Sequence, residues 1–189
     1  VGPKVDIATA VPEAPVDGDM DDSTRRQSAS MMRVNHTGEV CAQALYEGQA
    51  VAARNGAVRD ALRTAADEEQ AHLGWCRSRL DELDAAPSVL DPLFYAGSFA
   101  MGVATGLLGD RVSLGFVAAT EDQVVEHLDR HLDRMTDDPR SKAIVERMRD
   151  DEARHGTNAL RSGGIRFPDA VKRTMTAVSR VMTETTARI

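Results

Sequence analysis

Two Glu-x-x-His motifs carry the strongest chemical signal in this sequence of 189 residues: Glu69-Gln70-Ala71-His72 and Glu152-Ala153-Arg154-His155. Residues three apart on a helix are neighbours on one face, so a carboxylate and an imidazole at this spacing can ligate one cation together. A glutamate precedes each motif at nearly the same distance. Glu39 lies 30 residues before Glu69, and Glu121 lies 31 before Glu152. Both sit among small or apolar neighbours, Glu39 with Val34, Val40, Ala42 and Ala44, and Glu121 after Val117-Ala118-Ala119-Thr120. Four carboxylates facing one core repel one another unless neutralised. Two divalent ions would balance the four negative charges, and two neutral imidazoles would complete the donor set. The spacing therefore points to a dinuclear metal centre held by Glu39, Glu69, His72, Glu121, Glu152 and His155. Carboxylates with imidazoles and no thiolate suit iron or manganese, whereas a structural zinc site is more often closed and Cys-rich. Chelate spacing does not separate iron from manganese.

Long helices must position these six side chains. Thr24 with Gln27 has the spacing of a capping box, and helical patterning runs from there to Asn55, where Asn55-Gly56 is a stop signal. A second helix is predicted over about 58–83, ending before Ala86-Pro87. A third covers about 110–135 and is halted by Asp137-Asp138-Pro139. A fourth covers 141–160 and is halted by Gly163-Gly164, after which Pro168 opens a C-terminal helix. Short connections make two antiparallel hairpins, each with a lone Glu on its first helix and a Glu-x-x-His on its second. That is the ligand distribution of di-iron and di-manganese carboxylate bundles of the ferritin-like type. No segment shows the sustained period-2 alternation of strands. The predicted fold class is all-α: a ferritin-like four-helix bundle with a short apolar helix between the hairpins and an added C-terminal helix.

Composition bounds the partners. The formal net charge is −7. Residues 1–22 hold six acids against Lys4 alone, which leaves the remaining 167 residues at only −2. There is no basic excess to neutralise phosphates, so a nucleic-acid partner is not expected. The proline-rich and acidic stretch 1–22 reads as a disordered tail, and 23–189 as one domain. Cys41 and Cys76 fall inside apolar helical patterns and read as buried, reduced thiols. No apolar run reaches the roughly 18 residues of a spanning helix. Residues 93–109 are uncharged and glycine-rich, with Phe94, Phe99, Met101, Leu107 and Leu108. They read either as a buried core helix or as a segment dipping into a bilayer. In the last helix Val171, Met175, Val178 and Met182 form an apolar stripe that fits core packing or an interfacial role.

Glu68 and Asp151 directly precede the two motifs and are candidates to accept a hydrogen bond from a ligating His on another helix. His36, three residues before Glu39, is a candidate to lie beside the site. His127 is rotated about 120° from Glu121 on an ideal helix, so it is not expected to ligate the same ion. His131 is expected to be solvated, and Tyr46 and Trp75 read as core or interface residues.

The run Met32-Arg33-Val34-Asn35-His36-Thr37-Gly38-Glu39-Val40 resembles the signature at the start of the demethoxyubiquinone hydroxylases of ubiquinone biosynthesis. The resemblance extends through Asp67-Glu68-Glu69, His72-Leu73, Ser88-Val89-Leu90-Asp91-Pro92-Leu93-Phe94-Tyr95 and Ser113-Leu114-Gly115-Phe116-Val117-Ala118-Ala119-Thr120-Glu121. Met148-Arg149-Asp150-Asp151-Glu152 and Arg166-Phe167-Pro168 complete it over about 24–189, and the pattern is most similar to the bacterial branch. It implies a ferritin-like monooxygenase with two Fe ions, held by the same six residues, Glu69 and Glu152 bridging. No catalytic side chain beyond these ligands is implied. The implied reaction is ring hydroxylation of a polyprenyl methoxy-methyl benzoquinol with O2 and two electrons. Implied partners are the quinol, O2, a lipid surface at the cytoplasmic face of the cell (inner) membrane, and other ubiquinone-biosynthesis proteins; self-association is left open. Mitochondrial members similar to this chain carry two His and a Tyr where Glu126-His127-Leu128 stands here, so a role for that Tyr does not transfer. A ferritin-like iron-storage module and another di-metal enzyme, such as a manganese catalase or peroxide reductase, are the competing readings. The uncharged 93–109 segment counts against storage, and the lack of a Cys-based electron module counts against rubrerythrin-type chemistry.

Overall fold

The computed structural model describes residues 11–13 and 20–188. Among them are six helices: α1 (Asp22–Ala52), α2 (Gly56–Glu82), α3 (Asp91–Leu107), α4 (Asp110–Leu132), α5 (Pro139–Arg161) and α6 (Asp169–Thr186). Helices α1 and α2 form one antiparallel hairpin and α4 and α5 the other, and together they make the expected four-helix bundle. Most of the stretch read as an acidic tail lies outside the described residues; within it, Val11 and Met20 pack against the core.

Local chemistry sets the helix ends. The N-cap of α1 is Asp21, whose carboxylate accepts the Thr24 amide at 2.7 Å. This corrects the expected Thr24 capping box: a carboxylate three residues upstream does the same work and lies closer to the positive end of the helix dipole. Asn55 both follows α1 and caps α2, accepting the amides of Ala57 and Val58. Asp138 caps α5 through the Ser141 amide at 2.8 Å, with Pro139 in the first turn. The same Asp138 receives Arg79 of α2 at 2.8 Å, so the α4–α5 connection is tied across the bundle by a buried ion pair.

Two apolar layers fill the bundle. One holds Met32, Trp75, Cys76, Leu80, Leu128, Ile144 and Met148, the other Tyr46, Leu62, Leu114, Val117 and Ala159. On each of the four helices, the motif glutamates and histidines fall in sequence between the members of these two layers. The motif glutamates and histidines thereby share one dry level of the bundle.

Helix α3 packs along α1 rather than inside the bundle. Its Gly102 lies against the Leu45 carbonyl, and Gly48 of α1 lies against the backbone of Phe99 and Val103. A Cβ at either position would overlap main-chain atoms, so the two backbones meet only because both residues are glycine. Asp91, at the start of α3, accepts from the Thr37 hydroxyl at 2.6 Å. The outer face of α3 stays open, with Leu93 67% and Leu107 63% exposed. The reading of 93–109 as a buried core helix is therefore wrong: Gly102, Thr105 and Gly106 are buried, while Leu93, Met101, Leu107 and Leu108 are exposed. Helix α6 lies over α4 and α1, fastened by a Lys172–Asp122 pair at 2.7 Å and by the Ser30 hydroxyl donating to the Ala187 carbonyl at 3.0 Å. Thr186 is its one buried residue among those described.

The α1–α3 contact yields a first expectation. Gly102→Val forces the helices apart and costs about 1–3 kcal/mol, the usual range for overpacking. Thermal unfolding followed by circular dichroism should show a Tm about 2–12 °C lower, with helicity at low temperature preserved.

Candidate metal centre

All six residues picked out by spacing are buried in one layer: Glu39, Glu69, Glu121 and Glu152 are at most 3% exposed, His72 is 2% and His155 is 7%. Glu39 on α1, Glu69 and His72 on α2, and Glu152 on α5 each offer a ligand atom within 4.8 Å of the others. His155 of α5 joins them through its Nδ1, 3.3 Å from Glu69 Oε1 and 3.0 Å from Glu152 Oε2. Glu121 of α4 is raised by the charges of Glu152 and Glu69, after burial itself, which places its carboxyl in the same electrostatic environment.

The pattern of contacts has an internal order. Glu69 presents Oε2 to His72 Nδ1 at 3.0 Å and Oε1 to His155 Nδ1 at 3.3 Å. Glu152 does the reverse, with Oε1 at 3.0 Å from His72 Nδ1 and Oε2 at 3.0 Å from His155 Nδ1. Each of these two carboxylates therefore spans both imidazoles. Glu39 approaches His72 alone, at 3.4 Å. Glu39 thus sits on the His72 side of the Glu69–Glu152 pair, while Glu121 feels the charge of His155.

The far nitrogens of the imidazoles cross between hairpins. His72 Nε2 lies 3.3 Å from Asp151 of α5, and His155 Nε2 lies 2.6 Å from Glu68 of α2. These are the contacts expected for Glu68 and Asp151. The His155 hydrogen bond holds the Glu68 carboxyl below its usual range. Burial alone would raise Asp151, but His72 and Arg147 hold its carboxyl well below that range. Both groups are thus anionic at neutral pH and keep a proton on Nε2, which turns Nδ1 toward the carboxylate layer.

Electrostatics show what the layer lacks. Burial pushes the Glu39 carboxyl up to about 8, and Glu121 is driven well above its ordinary value by burial and by Glu152 and Glu69. Burial would lower both imidazoles, yet hydrogen bonds raise them far above the ordinary value: for His72 from Asp151, Glu152, Glu39 and Glu69, and for His155 from Glu152, Glu68 and Glu69. Protons on the histidines stand where cations would. Glu121 Oε2 is buried without a hydrogen-bond partner, and Glu39 Oε2, Glu69 Oε1 and Glu152 Oε1 meet only a shared imidazole Nδ1, at 3.0–3.4 Å and without hydrogen-bond alignment. A cation is the group that such oxygens fit. The donor set of carboxylates and imidazoles suits a hard or borderline divalent ion.

Tyr46 is core, as expected, and it also touches the carboxylate layer. It is fully buried, its hydroxyl donates to Glu121, and its ring meets His155 edge-on with centroids 6.5 Å apart. The signal was present, since Tyr46 follows Glu39 by seven residues and so lies two turns along the same face. By holding one oxygen of Glu121, Tyr46 leaves the other free to face the layer. His36 pairs with α3, its Nδ1 3.0 Å from Asp91. Trp75 is core, with its ring 5.0 Å from that of His72. Cys76 is buried as expected, while Cys41 is only partly so. His131 corrects the expectation of a solvated side chain: α6 closes over it, and it is buried.

The raised carboxyls set a pH dependence. A carboxyl whose value rises on folding contributes most below its unfolded value and loses that contribution as pH climbs through the folded one. In chelator, the chain should lose stability from about pH 4.5 to about 8, the window set by Glu39. Glu39→Gln should flatten this trend in thermal melts, and a divalent ion should reverse it in the unsubstituted chain.

The sequence pattern of the family described as "Ubiquinone biosynthesis protein COQ7" matches residues 26–186. Proteins named 3-demethoxyubiquinol 3-hydroxylase are similar over most of the chain. One from Pseudomonas paraeruginosa is 55% identical over 174 residues, which is 92% of this chain and 81% of the relative. One from Ralstonia pickettii is 57% identical over 171 residues, 90% of this chain and 79% of the relative. One from Azotobacter vinelandii is 56% identical over 171 residues, 90% and 80% of the two chains. The match runs from the first turns of α1 to the end of α6 and takes in every residue of the buried Glu/His layer; the chain belongs to the COQ7 family.

Proposed function

We propose that this protein is a 3-demethoxyubiquinol 3-hydroxylase, a di-iron monooxygenase that places one oxygen atom of O2 on the ring of a polyprenyl methoxy-methyl benzoquinol. The observation that carries the reading is the buried layer in which Glu69 and Glu152 each span His72 and His155. It occurs in a chain 55% identical to an enzyme of that name. Glu39, Glu69, His72, Glu121, Glu152 and His155 are the proposed iron ligands, with Glu69 and Glu152 as the bridging pair. Two iron ions bound there supply the redox chemistry that activates O2.

The chain's own residues supply the rest. Asp151 and Glu68 keep the proton on Nε2 of His72 and His155, so that Nδ1 is the donor atom. Tyr46 donates to one oxygen of Glu121 and so orients that carboxylate, which would hold iron through its other oxygen. The apolar layers on either side exclude water and so protect a reactive oxygen species from quenching.

The polyprenyl tail calls for a lipid surface. No described helix is long and apolar enough to cross a membrane. Large apolar side chains nevertheless stand exposed on α3 and just beyond it (Leu93, Met101, Leu107, Leu108) and on α6 (Val171, Val178, Val181). We read these helices as a peripheral docking surface at the cytoplasmic face of the inner membrane, where other ubiquinone-biosynthesis proteins are candidate neighbours.

Two measurements test this function. Chain loaded with ferrous iron without air, then given 18O2 and a demethoxyubiquinol analogue, should yield product heavier by one labelled oxygen atom; unlabelled product or none, with two irons bound, rejects the reaction. The protein should float with liposomes containing anionic lipid, and Leu93→Glu with Leu107→Glu should abolish flotation while leaving helicity intact.

A further inference from the structure

A second group of metal-ligating side chains lies outside the carboxylate layer. His127 and His131 are one turn apart on α4, with ring centroids 4.1 Å apart. His131 is 6% exposed. His127 Nε2 and His131 Nδ1 are both buried and have no hydrogen-bond partner. Both rings line a cavity of about 460 Å³ between α1, α4 and α6, and Glu184 of α6 lines it too. Neither ring takes part in the layer of Glu39, Glu69, His72 and Glu152.

Burying two imidazole nitrogens side by side with nothing to bond costs free energy, and such orphans mark an absent water or ion. The chemistry selects the ion. Two histidines at i and i+4 on one helix face are a chelating pair for zinc, and imidazole suits zinc, copper and nickel over calcium or magnesium. Burial holds His127 down to about 4, assisted by Arg130. Burial holds His131 down to about 3, assisted by His127, Arg134 and Arg130. Both rings are therefore neutral and carry free lone pairs at neutral pH. Arg134 also lines the cavity but is exposed and free to extend into water. Glu184 lines the same cavity from α6 but does not stand within ligand distance of both rings, so its exposed carboxylate must turn inward to join them.

We propose that His127, His131 and Glu184 form a binding site for one divalent transition-metal ion of the zinc class, separate from the carboxylate centre and linking α6 to α4. The proposal does not rest on the hydroxylase reading.

Equilibrium dialysis of the full chain against Zn2+ at neutral pH tests it, with ferrous iron first loaded into the carboxylate layer. The unsubstituted chain should retain one Zn2+ more than His127→Gln or His131→Gln, and Glu184→Gln should hold that ion more weakly. Retention of the same amount by all variants overturns the site, and an unchanged affinity in Glu184→Gln removes the carboxylate from it. Because a substitution beneath α6 can perturb folding, imidazole resonances of the unsubstituted protein give an independent reading. Those of His127 and His131 should shift on adding Zn2+, and resonances that stay in place refute the proposal.

Discussion

The structure turns on the cost of enclosing four carboxylates in one dry layer. Each charged group taken out of water carries a penalty of several kcal/mol even after relaxation. An α-helical core offers no spare backbone donors to offset it, because main-chain amides are committed to their own helices. Compensation must come from within the layer. In the metal-free chain it comes from protons: two imidazoles held far above their ordinary range, a Glu39 carboxyl raised to about 8, and a Glu121 carboxyl raised further by its neighbours. Two divalent cations would replace those protons and satisfy Glu121 Oε2 and the three oxygens that now share an imidazole Nδ1.

The rest of the fold serves that layer. Apolar residues above and below keep water from screening it. The hairpins are stitched to each other by the crossed contacts His72–Asp151 and His155–Glu68, which fix the imidazoles from behind. Because each contact links α2 to α5, the relative height of the two hairpins is set by the groups that orient the ligands. The buried Arg79–Asp138 pair fastens the far end of the same two-helix face. Helices α3 and α6 take no share of the layer and are free to carry apolar side chains outward.

Much of this was legible from residue order. Spacing alone found the six side chains and the helices that carry them, since a 3.6-residue repeat and short connections leave few ways to bring Glu39, Glu69, Glu121 and Glu152 to one level. The assignment of Glu68 and Asp151 followed from their place beside the motifs. What escaped was set by contacts between elements distant in sequence. Nothing local to Tyr46, a core residue, shows that its hydroxyl meets Glu121, 75 residues away. The cover of His131, α6, comes from the far end of the chain, so its local pattern reads as solvated. His36 pairs with α3 because Asp91 lies there to receive it. The split character of 93–109 depended on which glycines touch α1, and that is decided by backbone approach, not by hydropathy.

The central claim is that the layer cages a pair of cations. Crystals of the chain grown with ferrous iron and measured on both sides of the iron absorption edge address it most directly. The account predicts two anomalous peaks, both between Glu69 and Glu152, one beside Glu39 and His72 and the other beside Glu121 and His155. A map with no peak in the layer, or with a single ion touching only one of the two histidines, would contradict it.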